Sequence, residues 1–137
     1  MSVPASGARF RTAFVTGASA GLGRAFCDRL LAGGVEVWGT ARDRARLPER
    51  PNFHPVVLDL ADGPAAEAAF LAAERAAGGF DLVVNNAGYG VFGGFAATEF
   101  SAWQRQIEVM LVNTARLAHA ALRGMAARRR GTLVNVS

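Results

Sequence analysis

Thr16-Gly17-Ala18-Ser19-Ala20-Gly21-Leu22-Gly23 is the stretch on which the reading of the fold turns. It follows a short apolar run, Ala13-Phe14-Val15, that reads as a strand. It opens into Arg24-Ala25-Phe26-Cys27-Asp28-Arg29-Leu30-Leu31, whose apolar residues recur at helical spacing. Gly17 permits a tight turn because it has no Cβ to clash. Gly21 lets the backbone approach a ligand closely, and Gly23 lets the new helix pack tightly on its strand. The free N–H groups and positive dipole end of that helix then face an anion. Strand, turn and helix together make a phosphate cradle suited to a dinucleotide pyrophosphate.

Outward from this turn, strands and helices alternate. The first strand is expected over 12–16 and the first helix over 22–32, stopped by Gly33-Gly34. A second strand over 35–40 precedes a short helical turn over 42–47, cut by Pro48 and Pro51. A third strand, 54–58, ends at Asp59, and an Ala- and Glu-rich helix over 64–77 stops at Gly78-Gly79. The fourth strand, 80–85, is almost wholly apolar, as a central strand covered on both faces should be. A glycine-rich loop over 88–94, a long helix over 98–129 and a fifth strand over 132–136 complete the pattern. This alternation implies an α/β domain with a parallel sheet in the order 3-2-1-4-5. Ligands in such sheets bind beyond the carboxyl ends of the strands where the order reverses. Here that point lies between the glycine turn and Asn85-Asn86-Ala87-Gly88.

The totals agree with one domain: 137 residues, 51% hydrophobic and 19% charged. The formal charge is +4, and the chain contains no Lys at all. The Arg residues are dispersed rather than clustered on one element, so nucleic acid is not an expected partner. The densest run, Arg128-Arg129-Arg130, falls where a helix should end, and cations there complement its dipole. The single cysteine, Cys27, excludes an internal disulfide, fits a reducing cytoplasm and reads as a small buried hydrophobe. No segment approaches the ~18 uninterrupted apolar residues of a membrane span. Residues 1–9 read as a loose tail ahead of a domain over 10–137.

Four motifs carry a resemblance. Thr16, Gly17, Gly21 and Gly23 match Thr-Gly-x-x-x-Gly-x-Gly; Asn85 to Gly88 match Asn-Asn-Ala-Gly. Asp59-Leu60 match the pair after the third strand, and Gly131 to Ser137 match a Gly-x-hydrophobic-Val-Asn-hydrophobic-Ser strand. On these the chain resembles the N-terminal half of a short-chain dehydrogenase/reductase. The resemblance implies a Rossmann-type doubly wound sheet, truncated after the fifth strand, and an NAD(P)-binding domain incomplete at its C-terminus. It implies hydride transfer between a nicotinamide and a small carbonyl or secondary alcohol. It carries cofactor contacts to Thr16, Gly17, Ser19, Ala20, Gly21, Leu22, Gly23, Asp59 and Leu60. It carries them also to Asn86, Ala87, Gly88 and Val109.

The end of the second strand speaks to cofactor choice. Members preferring NAD place an acidic residue there to hold the ribose hydroxyls. This chain has Ala41, followed by Arg42, whose planar fork of donors suits a phosphate. The expected cofactor is therefore NADP(H) rather than NAD(H), with Arg24 as a second candidate phosphate partner. No metal site is expected.

The family's catalytic Tyr-x-x-x-Lys has no counterpart: the only Tyr is Tyr89, and there is no Lys. Ser137 stands where the first of two terminal serines would be, the second usually being the catalytic one; a register shift of one would make Ser137 itself the candidate. Met110 stands where the family has an Asn that supports a proton relay. Asn113 is three residues on, about 60° round a regular helix. The relay is expected to be absent, unless a local helix distortion lets Asn113 substitute. A full-length form is expected to be a homodimer or homotetramer pairing through the long helix. The chain alone is expected to be inactive, and marginally stable because its fifth strand is an uncovered edge. Two rival readings stay open: a module that binds NADP(H) without turnover, and an inactive gene fragment.

Overall fold

The computed structural model describes residues 9–137, so residues 1–8 of the expected tail lie outside the described residues. Five parallel strands form one sheet: β1 (Thr12–Val15), β2 (Glu36–Ala41), β3 (Phe53–Val57), β4 (Leu82–Asn85) and β5 (Thr132–Asn135). Their order is β3-β2-β1-β4-β5, as the alternation of elements predicts. Phe14 lies opposite Trp38 on one side and Val83 on the other. This central register puts β1 and β4 next to each other with their carboxyl ends level.

The helices connecting the strands are α1 (Gly21–Ala32), α2 (Gly63–Ala77), α3 (Phe100–Ile107) and α4 (Asn113–Arg128). Side chains alternate across β1, so its two faces serve two cores. Ala13 and Val15 pack with Val37, Val84 and Cys27 of α1. Phe14 packs on the other face with Phe70 of α2, Leu117 of α4 and Phe80. Phe14 and Phe70 meet edge to face at 4.9 Å, a geometry that adds to the burial itself. Each such fully buried aromatic contributes about 1.5–3 kcal/mol from burial.

The local signals explain the boundaries. Asp62 caps α2 by accepting from Ala65 N at 3.1 Å, and Pro64 sits in the first turn, where its missing N–H is harmless. Gly78, at φ 73°, ends the helix in the left-handed conformation that glycine allows. At the far end of α4, Arg129 adopts φ 57°. Arg128 donates to the Phe80 carbonyl at 3.0 Å, and Arg130 pairs with Asp81 at 3.6 Å. The arginine run thus ties the end of α4 to the start of β4.

One expectation is corrected. The helix expected to run unbroken over 98–129 starts at Phe100, after a 3₁₀ turn at Phe95–Ala97, and is interrupted by a π-helical segment at Glu108–Val112. Within the segment Val109 is buried, while Met110, Leu111 and Val112 are exposed. The turn after β2 is likewise shorter than expected, a single 3₁₀ turn at Arg44–Arg46 capped by Asp43.

Cys27 is buried, and desolvation first, then the neighbouring Asp28, pushes its thiol up to about 12 from the ordinary 9.0. The unfolded thiol ionises first, so folding stability from this group is full below pH 9 and is lost as pH rises towards about 12. A thiol reagent at neutral pH is expected to leave the native chain unlabelled and to label it promptly in denaturant. Rapid native labelling would contradict this burial.

Candidate cofactor site

β1 leads directly into the glycine turn, and Thr16 is its structural centre. Thr16 is buried, and its hydroxyl oxygen accepts from the backbone N–H groups of both Asn86 and Ala87, each at 2.9 Å. The Asn86 side-chain amide donates back to the Thr16 carbonyl at 3.2 Å. Gly17 N–H donates to the Thr40 hydroxyl at 3.3 Å, and Ala18 N–H to the Thr40 carbonyl at 2.8 Å. The carboxyl ends of β1, β2 and β4 are thereby tied to one another.

The glycines do separate jobs. Gly17, at φ 68°, makes the turn. Gly23 has no such backbone need, but a Cβ there would collide with the Gly17 carbonyl and lie 2.6 Å from Asn86 Nδ2. Gly21, at φ 54°, has nothing within 4 Å of its Cβ position, so its face of the helix start is open. No side chain caps α1, which leaves its first N–H groups for an outside acceptor.

A cleft of about 770 Å³ opens above this turn. One wall is Gly17, Ser19 and Ala20 with Asn86, Ala87 and Gly88. The opposite wall is Ala41, Arg42 and Arg46 with Asp59 and Leu60. Asp59 holds its own turn by accepting from Ala61 N–H at 2.9 Å. Arg105 and Val109 enter from the α3 side, beside Tyr89. Three guanidinium groups against one carboxylate make the cleft attractive to a phosphate-bearing anion. Arg42, Arg46 and Arg105 form no ion pair among the described residues, whereas Arg44 and Arg50 are taken by Glu49 and Asp28.

Most sequence-predicted residues converge here, but not all in the same way. Thr16 and Gly23 lie behind the cleft wall, while Gly21 and Leu22 are exposed at the start of α1. Arg24 is exposed and lines no part of the cleft, and neither does Ser137 at the end of the edge strand. Met110 lies against Gly88, its Cε 3.0 Å from where a Gly88 Cβ would be. The distortion near Asn113 exists, yet Asn113 is buried and lines no part of the cleft, and its amide donates to the Leu60 carbonyl at 2.6 Å. Arg46 and Arg105 were not singled out from the sequence. Each stands four residues from a residue that was, Arg42 and Val109, and for Arg105 that spacing is itself the signal of a shared helix face. Among the described residues, no group of three His, Cys, Asp or Glu could hold a metal ion.

The comparisons with known proteins agree with this geometry. The short chain dehydrogenase family model matches residues 11–137. A probable NADP-dependent dehydrogenase of Haemophilus influenzae is 33% identical over 92% of this chain and 52% of its own. Human L-xylulose reductase is 36% identical over 93% of this chain and 52% of its own. A metagenomic short-chain oxidoreductase solved in complex with NADP superposes with a TM-score of 0.88 at 34% identity, over 93% of this chain and 62% of that one. The chain spans about half the length of the curated relatives it matches. With that family model matching nearly the whole chain and relatives above 30% identity over more than nine-tenths of it, the chain belongs to the short-chain dehydrogenase family.

Proposed function

We propose that this chain forms the NADP(H) site of an oxidoreductase acting on a small carbonyl or secondary alcohol in the cytoplasm. The observation that carries the reading is the wall formed by Ala41, Arg42 and Arg46. Ala41 presents no carboxylate to repel a 2′-phosphate, and the two guanidinium groups offer it planar, charged donors. Across the cleft, the open N-terminus of α1 suits the pyrophosphate. Asp59 has a carboxylate oxygen to accept from an adenine amino group. The shallow loop at Ala87 and Gly88 leaves room for the nicotinamide ribose to pass. The bound dinucleotide supplies or accepts a hydride. No residue of this chain is assigned the accompanying proton, since Tyr89 is the only tyrosine and no Lys follows it in a Tyr-x-x-x-Lys pattern.

Arg42→Asp tests the reading by fluorescence titration. A hydrogen bond to a charged group contributes about 1.5–3 kcal/mol, so NADPH affinity should fall roughly 10- to 100-fold while NADH affinity holds or improves. Equal loss for both cofactors, or a parent chain preferring NADH, would overturn it. We also propose that self-association to a dimer or tetramer uses the outer side of the long helix, supported by exposed Leu111 and Leu122.

A further inference from the structure

The π-helical segment Glu108–Val112 ends at Asn113, and Asn113 is an unusual occupant of a helix that packs on a sheet. It is only 3% exposed. A buried amide must find partners, and this one does so across the fold. Nδ2 donates to the Leu60 carbonyl at 2.6 Å, and Oδ1 accepts from Arg116 Nε at 3.4 Å. Arg116 in turn pairs with Glu67 of α2 at 3.2 Å. Thr114 donates to the Val109 carbonyl at 3.1 Å, so its hydroxyl serves the backbone of the distorted turn.

Gly63, the first residue of α2, makes this possible. Its φ is not in the left-handed region, so its backbone conformation does not demand glycine. Space does: a Cβ on Gly63 would collide with Asn113 Oδ1 and lie 2.8 Å from Arg116 Nε. The amide therefore occupies room that only glycine leaves. Through it, the turn carrying Asp59 and Leu60 is fastened to the long helix at the point where Val109 enters the cleft.

We propose that Asn113 is a positioning residue for the adenine-side wall of the cleft, and that Gly63 and Asn113 act as a coupled pair. The proposal rests on the NADP(H) reading for its ligand. Asn113→Leu keeps the branched shape of the side chain but leaves the Leu60 carbonyl unpaired, freeing Asp59 and Leu60 to shift. The expected result is a variant that folds, by near-UV circular dichroism, yet binds 2′,5′-ADP roughly tenfold more weakly, one adenine hydrogen bond being lost. Unchanged 2′,5′-ADP affinity in the folded variant would overturn the positioning role while leaving the NADP(H) reading intact. Failure of the parent chain to bind 2′,5′-ADP would overturn both. The pairing has its own test in thermal melts. Gly63→Ala should lower Tm in the parent and lower it much less in an Asn113→Ala background, where the amide is gone and only the Arg116 side chain must give way. An equal drop in both backgrounds would overturn the coupling.

Discussion

A Gly23→Val variant is expected to lose NADPH binding and much of its stability together. The first carbon of any side chain at this position meets the Gly17 carbonyl and the Asn86 amide, which are both fixed parts of the turn. Neither is the free end of a flexible chain, so the start of α1 must move off the sheet. Overpacking of this kind costs about 1–3 kcal/mol. The same movement displaces the N–H groups expected to meet the pyrophosphate. Losing one hydrogen bond to the charged pyrophosphate costs about 1.5–3 kcal/mol, a roughly 10- to 100-fold loss of affinity. Isothermal titration with NADPH and a urea melt measure the two effects separately. Retention of parental affinity would show that the glycine turn is not the cofactor cradle.

Thr16→Val is the second large effect, and it acts through hydrogen bonding rather than space. Valine keeps the shape but removes the oxygen that accepts from Asn86 and Ala87 N–H. Each donor left unpaired costs about 1–3 kcal/mol when buried; both are half-buried here, so a total of about 2–4 kcal/mol is expected. Thr16→Ser restores the oxygen and should recover most of it. Denaturant midpoints for the three proteins check this ordering. A valine variant as stable as the parent would mean that another group satisfies the loop.

These two positions also show what was readable in advance. Gly23 was legible because its constraint is local: a strand, a short turn and a helix within a dozen residues. The threonine was legible as part of the same motif, but the targets of its hydroxyl were not. Asn86 and Ala87 lie some seventy residues further on, and only the β1–β4 pairing brings them within reach. Arg42 was legible from what stands beside it at the end of β2. Arg24, equally basic and closer to the turn, is exposed and lines no part of the cleft. A charge in a sequence has no direction until its helix is docked.

The alternation of elements, the strand order, the glycine turn and the likeness to a dinucleotide-binding family can all be read from the chain alone. They follow from periodicity and turn chemistry, which act over a few residues at a time. Which arginines share the cleft, the π turn in the long helix, and the reach of Asn113 to the Leu60 carbonyl beside Gly63 emerge only in three dimensions. Those outcomes depend on how close two distant surfaces come once the core is packed, and packing distance is set by the whole set of side chains between them.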